Sequence, residues 1–450
     1  MDLKLTNTFG RKKELFKPFQ NNKVKMYVCG ITPYDYSHVG HGRSYVNFDV
    51  LYRTLKFLGY DVIYVRNITD IDDKLLKRAQ KELGDKMKYK EIAEKYTEYY
   101  DQDMDSLNCL RPDIEPKATE HITQMINFVK SLIEKKHAYI INSDVYFEVQ
   151  SFPKYGNLSG KKLDDLMAGA RIVVDKRKKH PADFVLWKGN DNKEFWKTDW
   201  GYGRPGWHLE CSVMAREYLG DTIDIHGGGV DLIFPHNENE IAQAESFTGK
   251  TFVRYWIHNE FINVNKEKMS KSLGNFFTLR VIFKEIDPMI LRFFFLQHHY
   301  RMPIEFSLDV IMSSKAAYKR LANIFLDDES NEKKNLTLDE VMDCTLIKSM
   351  FNALCDDMNT PKVLGILFEN IDEIKGNKNI RNLVKIFLRN ILGLIFKPVE
   401  KDLPKVTPEI ENLIKKREQA RKENDWKLAD EIREQLRKIG YEIQDEKIEK

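Results

Sequence analysis

Val24–Asp73, VKMYVCGITPYDYSHVGHGRSYVNFDVLYRTLKFLGYDVIYVRNITDIDD, reads as strand, helix, strand. Lys25 to Cys29 is short and β-prone. From Ser44 to Leu58, apolar Tyr45, Phe48, Leu51, Leu55 and Leu58 recur every three or four residues, the period of a helix with one buried face. Gly59 ends that helix as a C-terminal cap would, and Asp61 to Val65 is a second β-rich run. This is one βαβ unit of a parallel sheet, and ligands of such sheets lie at the carboxyl ends of the strands. Cys29 and the Asn67–Asp73 stretch both fall there, and His38-Val39-Gly40-His41 sits where the first strand gives way to the helix.

Downstream, residues 85 to 137 read as long helices interrupted near Pro112 and Pro116, followed by a hairpin of Ala138 to Ile141 and Asp144 to Val149. Strand–helix alternation resumes only after residue 200, so roughly 115–200 is expected to be an insertion between the halves of the sheet. Trp207 to Leu219 reads as helix, Thr222 to His226 as strand, Phe234 to Ser246 as helix and Val253 to His258 as strand. Residues 279 to 325 and 338 to 396 are helical patterns broken by Pro303, Asn359-Thr360-Pro361 and Gly376, consistent with a bundle. Beyond Pro398 and Pro404, Pro408 to Lys438 is a charged amphipathic stretch.

The expected architecture is therefore α/β. A Rossmann-type parallel-sheet catalytic domain (1–114 and 201–278) carries an insertion (115–200), then a helical bundle (279–400) and a small C-terminal helical domain (401–450). At 450 residues, 42% hydrophobic and 31% charged, the chain is an ordinary soluble multi-domain protein. No apolar run is long enough to cross a bilayer, and the start lacks the pattern of a secretory signal, so a cytoplasmic enzyme without a membrane partner is expected. Five cysteines are too few, and odd in number, for a disulfide framework, which leaves thiols free for metal. A net charge of +3 neither demands nor excludes nucleic acid. Lys375, Lys378, Arg381, Lys385, Arg389 and Lys397 nevertheless form a run without acidic residues, and Arg381, Lys385 and Arg389 step by four along one helix face. That face is either a phosphate track or a solvated surface.

Four residues have zinc-ligand chemistry: Cys29, Cys211, His236 and Glu240, the last two on one face of a predicted helix. Their spacing is dispersed, and it fits equally two buried thiols and two solvent-facing side chains. His38 and His41, at a helix start where unpaired N–H groups and the helix dipole favour anions, could donate to phosphate oxygens. Gly40 between them lets a flat base approach the backbone. Lys268 and Lys271, in the polar loop Lys268-Met269-Ser270-Lys271-Ser272 ending at Gly274, could neutralise a leaving pyrophosphate. His226-Gly227-Gly228-Gly229 would let a ligand reach the main chain.

With these residues in view, the chain resembles the cysteinyl-tRNA synthetases, a class I aminoacyl-tRNA synthetase family, over essentially its whole length. The resemblance is carried by Met26-Tyr27-Val28-Cys29-Gly30, Asn67-Ile68-Thr69-Asp70-Ile71-Asp72-Asp73-Lys74, Arg204-Pro205-Gly206-Trp207-His208-Leu209-Glu210-Cys211, Phe234-Pro235-His236-Asn237-Glu238-Asn239-Glu240 and Leu428-Ala429-Asp430-Glu431-Ile432-Arg433. The two nucleotide motifs match the HIGH and KMSKS signatures, with Val39 where isoleucine is usual. The resemblance implies activation of L-cysteine with ATP to cysteinyl-adenylate and transfer to the terminal adenosine of tRNA-Cys. It implies one Zn2+ on Cys29, Cys211, His236 and Glu240, and Mg2+ accompanying ATP. It further implies an amino-acid pocket at Thr69, Trp207, His226 and Asp231, adenylate stabilisation by His38 and His41, and ATP contact through Gly40, His41, Lys268 and above all Lys271. The bundle is expected to contact the tRNA stem and the last domain the anticodon, in a monomer.

Overall fold

The structure, a computed structural model, describes residues 2–161, 177–264, 267–268, 277–326, 335–397, 408–423 and 425–438. Two compact units result, Met1–Phe396 and Lys397–Lys450.

At the centre of the first unit is a four-stranded, wholly parallel sheet in the order Val253–Asn259, Ile223–Gly229, Lys23–Ile31, Asp61–Ile68. Lys23–Ile31 is thus flanked by the strand that follows it and by one about two hundred residues away (Tyr27 pairs with both Val65 and His226). The order reverses here, which is where ligands of open α/β sheets bind. Side chains alternate across the pleat. Tyr27 and Cys29 share a core with Leu209, Met214 and Ile241 of the helices Trp207–Leu219 and Glu238–Thr248. Val28 and its register partner Gly227 face the helix Val39–Phe57, and a Cβ on Gly227 would lie 2.3 Å from Phe48 Cε1. With both faces covered, the strands are largely buried, Val24, Met26, Tyr27 and Val28 each 0% exposed.

The hairpin expected from the sequence belongs to a five-stranded antiparallel sheet of Ala138–Ile141, Asp144–Phe147, Phe184–Gly189, Gly201–Pro205 and Trp196–Thr198, in that spatial order. Gly201–Pro205, next to the second half of the parallel sheet in sequence, pairs instead with Phe184–Gly189. Its last residue leads through Gly206 directly into the helix that starts at Trp207.

Two helix boundaries differ from the sequence reading. The first helix begins at Val39, not Ser44, because His38 caps it: its side chain accepts from the His41 amide while the His41 ring accepts from the His38 amide. Such reciprocal capping offsets the low propensity of Gly40 and Gly42. The expected helix Phe234–Ser246 becomes regular only at Glu238. Phe234 is extended (φ −139°, ψ 131°), as the residue before a proline tends to be, and Ile233–Asn237 forms a wider turn.

Helices Pro288–Leu296, Leu308–Phe325, Thr345–Cys355, Thr360–Glu369 and Lys378–Asn390 build the bundle, opened by caps such as Asp287 before Pro288 and Asn359 before Thr360-Pro361. Arg292, 0% exposed, bonds Asp49 of the first helix and donates to the Leu392 and Leu107 carbonyls at 2.8 and 2.7 Å. Arg53 closes on the same Asp49 at 2.8 Å. Removing Asp49 would leave two buried guanidiniums uncompensated, so this junction resists change. In the second unit, helices Pro408–Lys422 and Trp426–Lys438 pack Ile432 and Leu436 against Leu413 and Ile414. No helix among the described residues is long and apolar enough to cross a membrane.

Candidate active site and metal centre

Cys29 ends the first parallel strand, Cys211 lies in the first turns of Trp207–Leu219, His236 in the wide turn and Glu240 in the following helix. Their donor atoms all lie within 4.8 Å of one another. All four side chains are buried, from 8% exposure at Cys29 to 0% at Glu240. His236 Nε2 sits 3.0 Å from Glu240 Oε1, and Cys29 Sγ 3.9 Å from the same oxygen. Although the turn is irregular, the i, i+4 pair expected from the sequence still converges.

The surrounding groups orient these donors. Burial would lower the His236 imidazole, but Glu240 and Cys211 push it up to about 10, so a bound cation would displace its Nε2 proton. His208 Nδ1 lies 2.9 Å from His236 Nδ1. Burial, then the charge of His236, pulls His208 down to about 3, so it is neutral and accepts. His236 therefore donates from Nδ1 and aims Nε2 into the cluster, the arrangement usual behind a metal-bound imidazole. Burial alone would push the Glu240 carboxyl up, but His226 and His236 hold it well below the usual carboxylate range. Its oxygens also accept from His226 Nε2 at 2.8 Å and Asn237 Nδ2 at 2.9 Å. Asn237 in turn meets His258 Nε2 at 2.9 Å, and His258 Nδ1 meets Thr8 Oγ1 at 2.7 Å. A hydrogen bond from Cys29 brings the Cys211 thiol down to about 6 against the effect of burial, while Cys29 itself is pushed well up. A buried carboxylate beside a thiolate is costly unless a cation joins it. Two thiols, an imidazole and a carboxylate at this spacing suit zinc.

The cluster opens on a cleft of about 340 Å³ at the carboxyl ends of the strands, lined among others by Cys29, His38, Gly40, His41, Trp207 and Asp231. The imidazoles of His38 and His41 stack with centroids 3.6 Å apart. Each Nδ1 accepts a backbone N–H, 3.2 Å from the His41 amide and 3.4 Å from the His38 amide. The proton of each neutral ring is thus on Nε2, the nitrogen remote from the cap. One expectation needs correcting. The helix start does not offer a full set of open amides, since the His38 and His41 N–H groups are each taken by the other's Nδ1 and the Val39 N–H by Phe277 O at 3.1 Å. An anion there meets imidazole donors more than main chain.

Trp207, 42% exposed, lays its indole over His236 at a centroid distance of 4.2 Å and walls the cleft beside the cluster. Asp231 lines the opposite lip. Thr69 and His226, also expected in the amino-acid pocket, are 2% and 0% exposed and lie one layer behind. Thr69 Oγ1 donates to Glu210 Oε2 at 2.8 Å and accepts from Asn67 Nδ2 at 3.1 Å, and Asn67 Oδ1 lies 3.7 Å from Cys211 Sγ. His226 stacks on Trp256 at 4.4 Å beneath Glu240. The backbone of Lys268 pairs with Asn263 in a short hairpin beyond the last parallel strand, and Lys271 lies outside the described residues.

Sequence reasoning gave no role to Asn67, His208, Glu210, Asn237 or His258. His208 and Glu210 are adjacent to chosen residues and could have been suspected from position. His258 follows the buried apolar run Tyr255–Ile257 on its strand, and a buried polar residue there is itself a signal.

A family model described as "tRNA synthetases class I (C) catalytic domain" matches residues 15–316, and one for "Cysteinyl-tRNA ligase anticodon binding domain" matches 403–449. Cysteine–tRNA ligases of Thermodesulfovibrio yellowstonii and Geobacillus thermodenitrificans are 48% and 45% identical to the chain, each over 98% of it and over 98% and 97% of their own lengths. Among solved structures, methionyl-tRNA synthetase of Mycobacterium tuberculosis with methionyl-adenylate shares the fold at 13% identity, with a TM-score of 0.56 over 82% of this chain and 89% of that one. An arginyl-tRNA synthetase structure from Campylobacter jejuni does so at 14% identity and a TM-score of 0.51, over 84% and 92%. With its class I catalytic and anticodon-binding regions both matched, the chain belongs to the cysteine–tRNA ligase family.

Proposed function

We propose that the protein activates L-cysteine with ATP, forming cysteinyl-adenylate and pyrophosphate, and passes cysteine to the 3′-terminal adenosine of tRNA-Cys, with zinc on Cys29, Cys211, His236 and Glu240 selecting the thiol. The observation that carries this reading is the convergence of these four donors around Cys29, which lines the cleft that also holds His38 and His41. Shape alone discriminates one small side chain from another by only ~1–3 kcal/mol. Bound there, zinc would supply a soft Lewis acid that favours a thiolate over the harder, protonated hydroxyl of serine.

The chain's own groups account for the rest. Trp207 and Asp231 flank the position of the substrate, Asp231 as a counter-charge for its ammonium group. Asn67, Thr69, His208, His226 and Asn237 hold the ligand side chains from behind. His38 and His41 present Nε2–H to the α-phosphate, where charge grows as the carboxylate attacks. Lys268 and Lys271 act on the departing pyrophosphate, which leaves with magnesium. No covalent enzyme intermediate is needed, because positioning and charge stabilisation suffice.

For tRNA, Lys319 and Arg320 of one bundle helix and Lys375 and Arg381 of others line an open cleft of about 640 Å³, adding two cations to the basic run read from the sequence. This supports phosphate contact by 279–400, and the match of an anticodon-binding family model to residues 403–449 supports anticodon contact by 401–450. Cysteine-dependent pyrophosphate exchange followed by charging of tRNA-Cys with labelled cysteine tests the function. Exchange without charging points to a small-molecule acceptor, and no exchange by zinc-loaded protein points to a catalytically silent binding module.

A further inference from the structure

Arg43 lies two residues beyond His41 on the first helix and is 1% exposed. Its guanidinium is surrounded by carbonyl oxygens. Nη1 donates to Glu260 O at 2.8 Å and Phe261 O at 2.6 Å, and Nη2 to His299 O at 3.3 Å, Tyr300 O at 3.4 Å and Met302 O. Five carbonyl acceptors on two segments engage both terminal nitrogens, although the buried Nε has no hydrogen-bond partner among the described residues, and a lysine ammonium with three tetrahedral donors cannot reproduce this pattern. Burial brings this guanidinium down only to about 10, so it is charged at neutral pH. A buried charge held chiefly by carbonyl dipoles, with the Glu260 carboxylate as its counter-charge, is expensive, and general packing could be had from an apolar residue.

The two gripped segments explain its placement. Glu260 and Phe261 line the cleft and directly follow the strand Val253–Asn259. They are joined to the second segment by Glu260 N–H to Tyr300 O at 2.9 Å and Ile304 N–H to Phe261 O at 3.1 Å. From Phe261 the chain enters Ile262–Val264, whose Asn263 and Val264 pair with Lys268 and Glu267. Next to Arg43, Ser44 Oγ donates to Asn259 Oδ1 at 2.8 Å, a second tie from the same helix to the same strand end. The helix that carries His38 and His41 is thus fastened to the root of the strand pair that ends at Lys268.

We propose that Arg43 is a positioning residue for adenylate formation, setting the distance between the His38–His41 pair and the hairpin of Lys268 by clamping the Glu260–Phe261 main chain. This role rests on reading the cleft as the ATP site. The zinc cluster lies on other elements and should not feel the change.

The test uses full-length, zinc-loaded protein with Arg43→Lys and Arg43→Ala. Cysteine-dependent pyrophosphate exchange should show KM for ATP raised and kcat lowered, each by roughly tenfold or more, with cysteine Kd and zinc content unchanged. Guanidinium added at non-denaturing concentration should restore Arg43→Ala severalfold, and methylammonium should not. If Arg43→Ala does not fold, the same split between ATP and cysteine in Arg43→Lys decides. Wild-type kinetics in the variants would overturn the proposal, as would equal losses toward ATP and cysteine without a guanidinium response. Wild-type protein that fails to exchange would instead overturn the ATP reading itself, so the two failures are distinguishable.

Discussion

His226→Phe isolates what the residues behind the metal ligands contribute. His226 Nε2 donates to Glu240 Oε2 at 2.8 Å, whereas Nδ1 has no hydrogen-bond partner among the described residues, so phenylalanine removes one bond and orphans nothing else on the ring. The aromatic contacts with Trp256 and Tyr27, at 4.4 and 5.0 Å, are kept. A hydrogen bond to a charged acceptor contributes about 1.5–3 kcal/mol. At ~1.4 kcal/mol per decade, Glu240 should hold zinc roughly 10- to 100-fold less tightly, the range typical for partners of metal ligands. Competition with a chromophoric chelator measures that affinity. Cysteine binding should fall with it, and ATP binding should not. Zinc affinity unchanged within about twofold, in a variant with wild-type circular dichroism, would refute the claim that His226 acts through Glu240.

Cys211→Ser should weaken cysteine binding more than ATP binding in equilibrium titrations; equal losses would mark a purely structural metal. Lys271→Ala should slow single-turnover adenylate formation and leave cysteine Kd nearly intact, and a large rise in that Kd would contradict its role on the phosphates. Truncation after Pro404 should spare pyrophosphate exchange and impair tRNA charging. Asp103, 2% exposed and 3.4 Å from Arg280 Nε, is pushed up to about 7 by burial, which Arg280 only partly opposes. Its folded pKa exceeds the unfolded one, so its contribution is fully present below about pH 4 and is lost as pH rises to about 7. Asp103→Asn should flatten that slope in urea midpoints and raise stability at pH 8; an unchanged slope would exclude Asp103 as its source.

The parallel strands were legible because Lys25–Cys29 and Val253–His258 are short runs rich in β-prone residues, Tyr27 and Val28 in the one and Tyr255, Trp256 and Ile257 in the other. The helix Trp207–Leu219 was legible to the residue, since Gly206 and Gly220 bracket it. The first helix was misread at its start because propensity penalises Gly40 and Gly42, while the cap that overrides it comes from histidine, which no capping rule favours. The site was legible as chemistry and illegible as geometry. Positions 29, 211, 236 and 240 offer the right donors, yet their convergence depends on Ile223–Gly229 lying beside Lys23–Ile31, a strand order that separation along the chain does not encode. What stands behind those donors was hidden for a related reason. Asn67, His208 and His258 act through hydrogen bonds to residues distant in the chain and leave no periodicity in the sequence. Arg43 was hidden more deeply still. Nothing in the sequence singles out this arginine, and only the carbonyls of Glu260 and Phe261 closing on it give it a place. Sequence therefore exposes residues that meet the substrate through their unusual chemistry, whereas residues that fix the first set in place use ordinary chemistry in a setting that only folding creates.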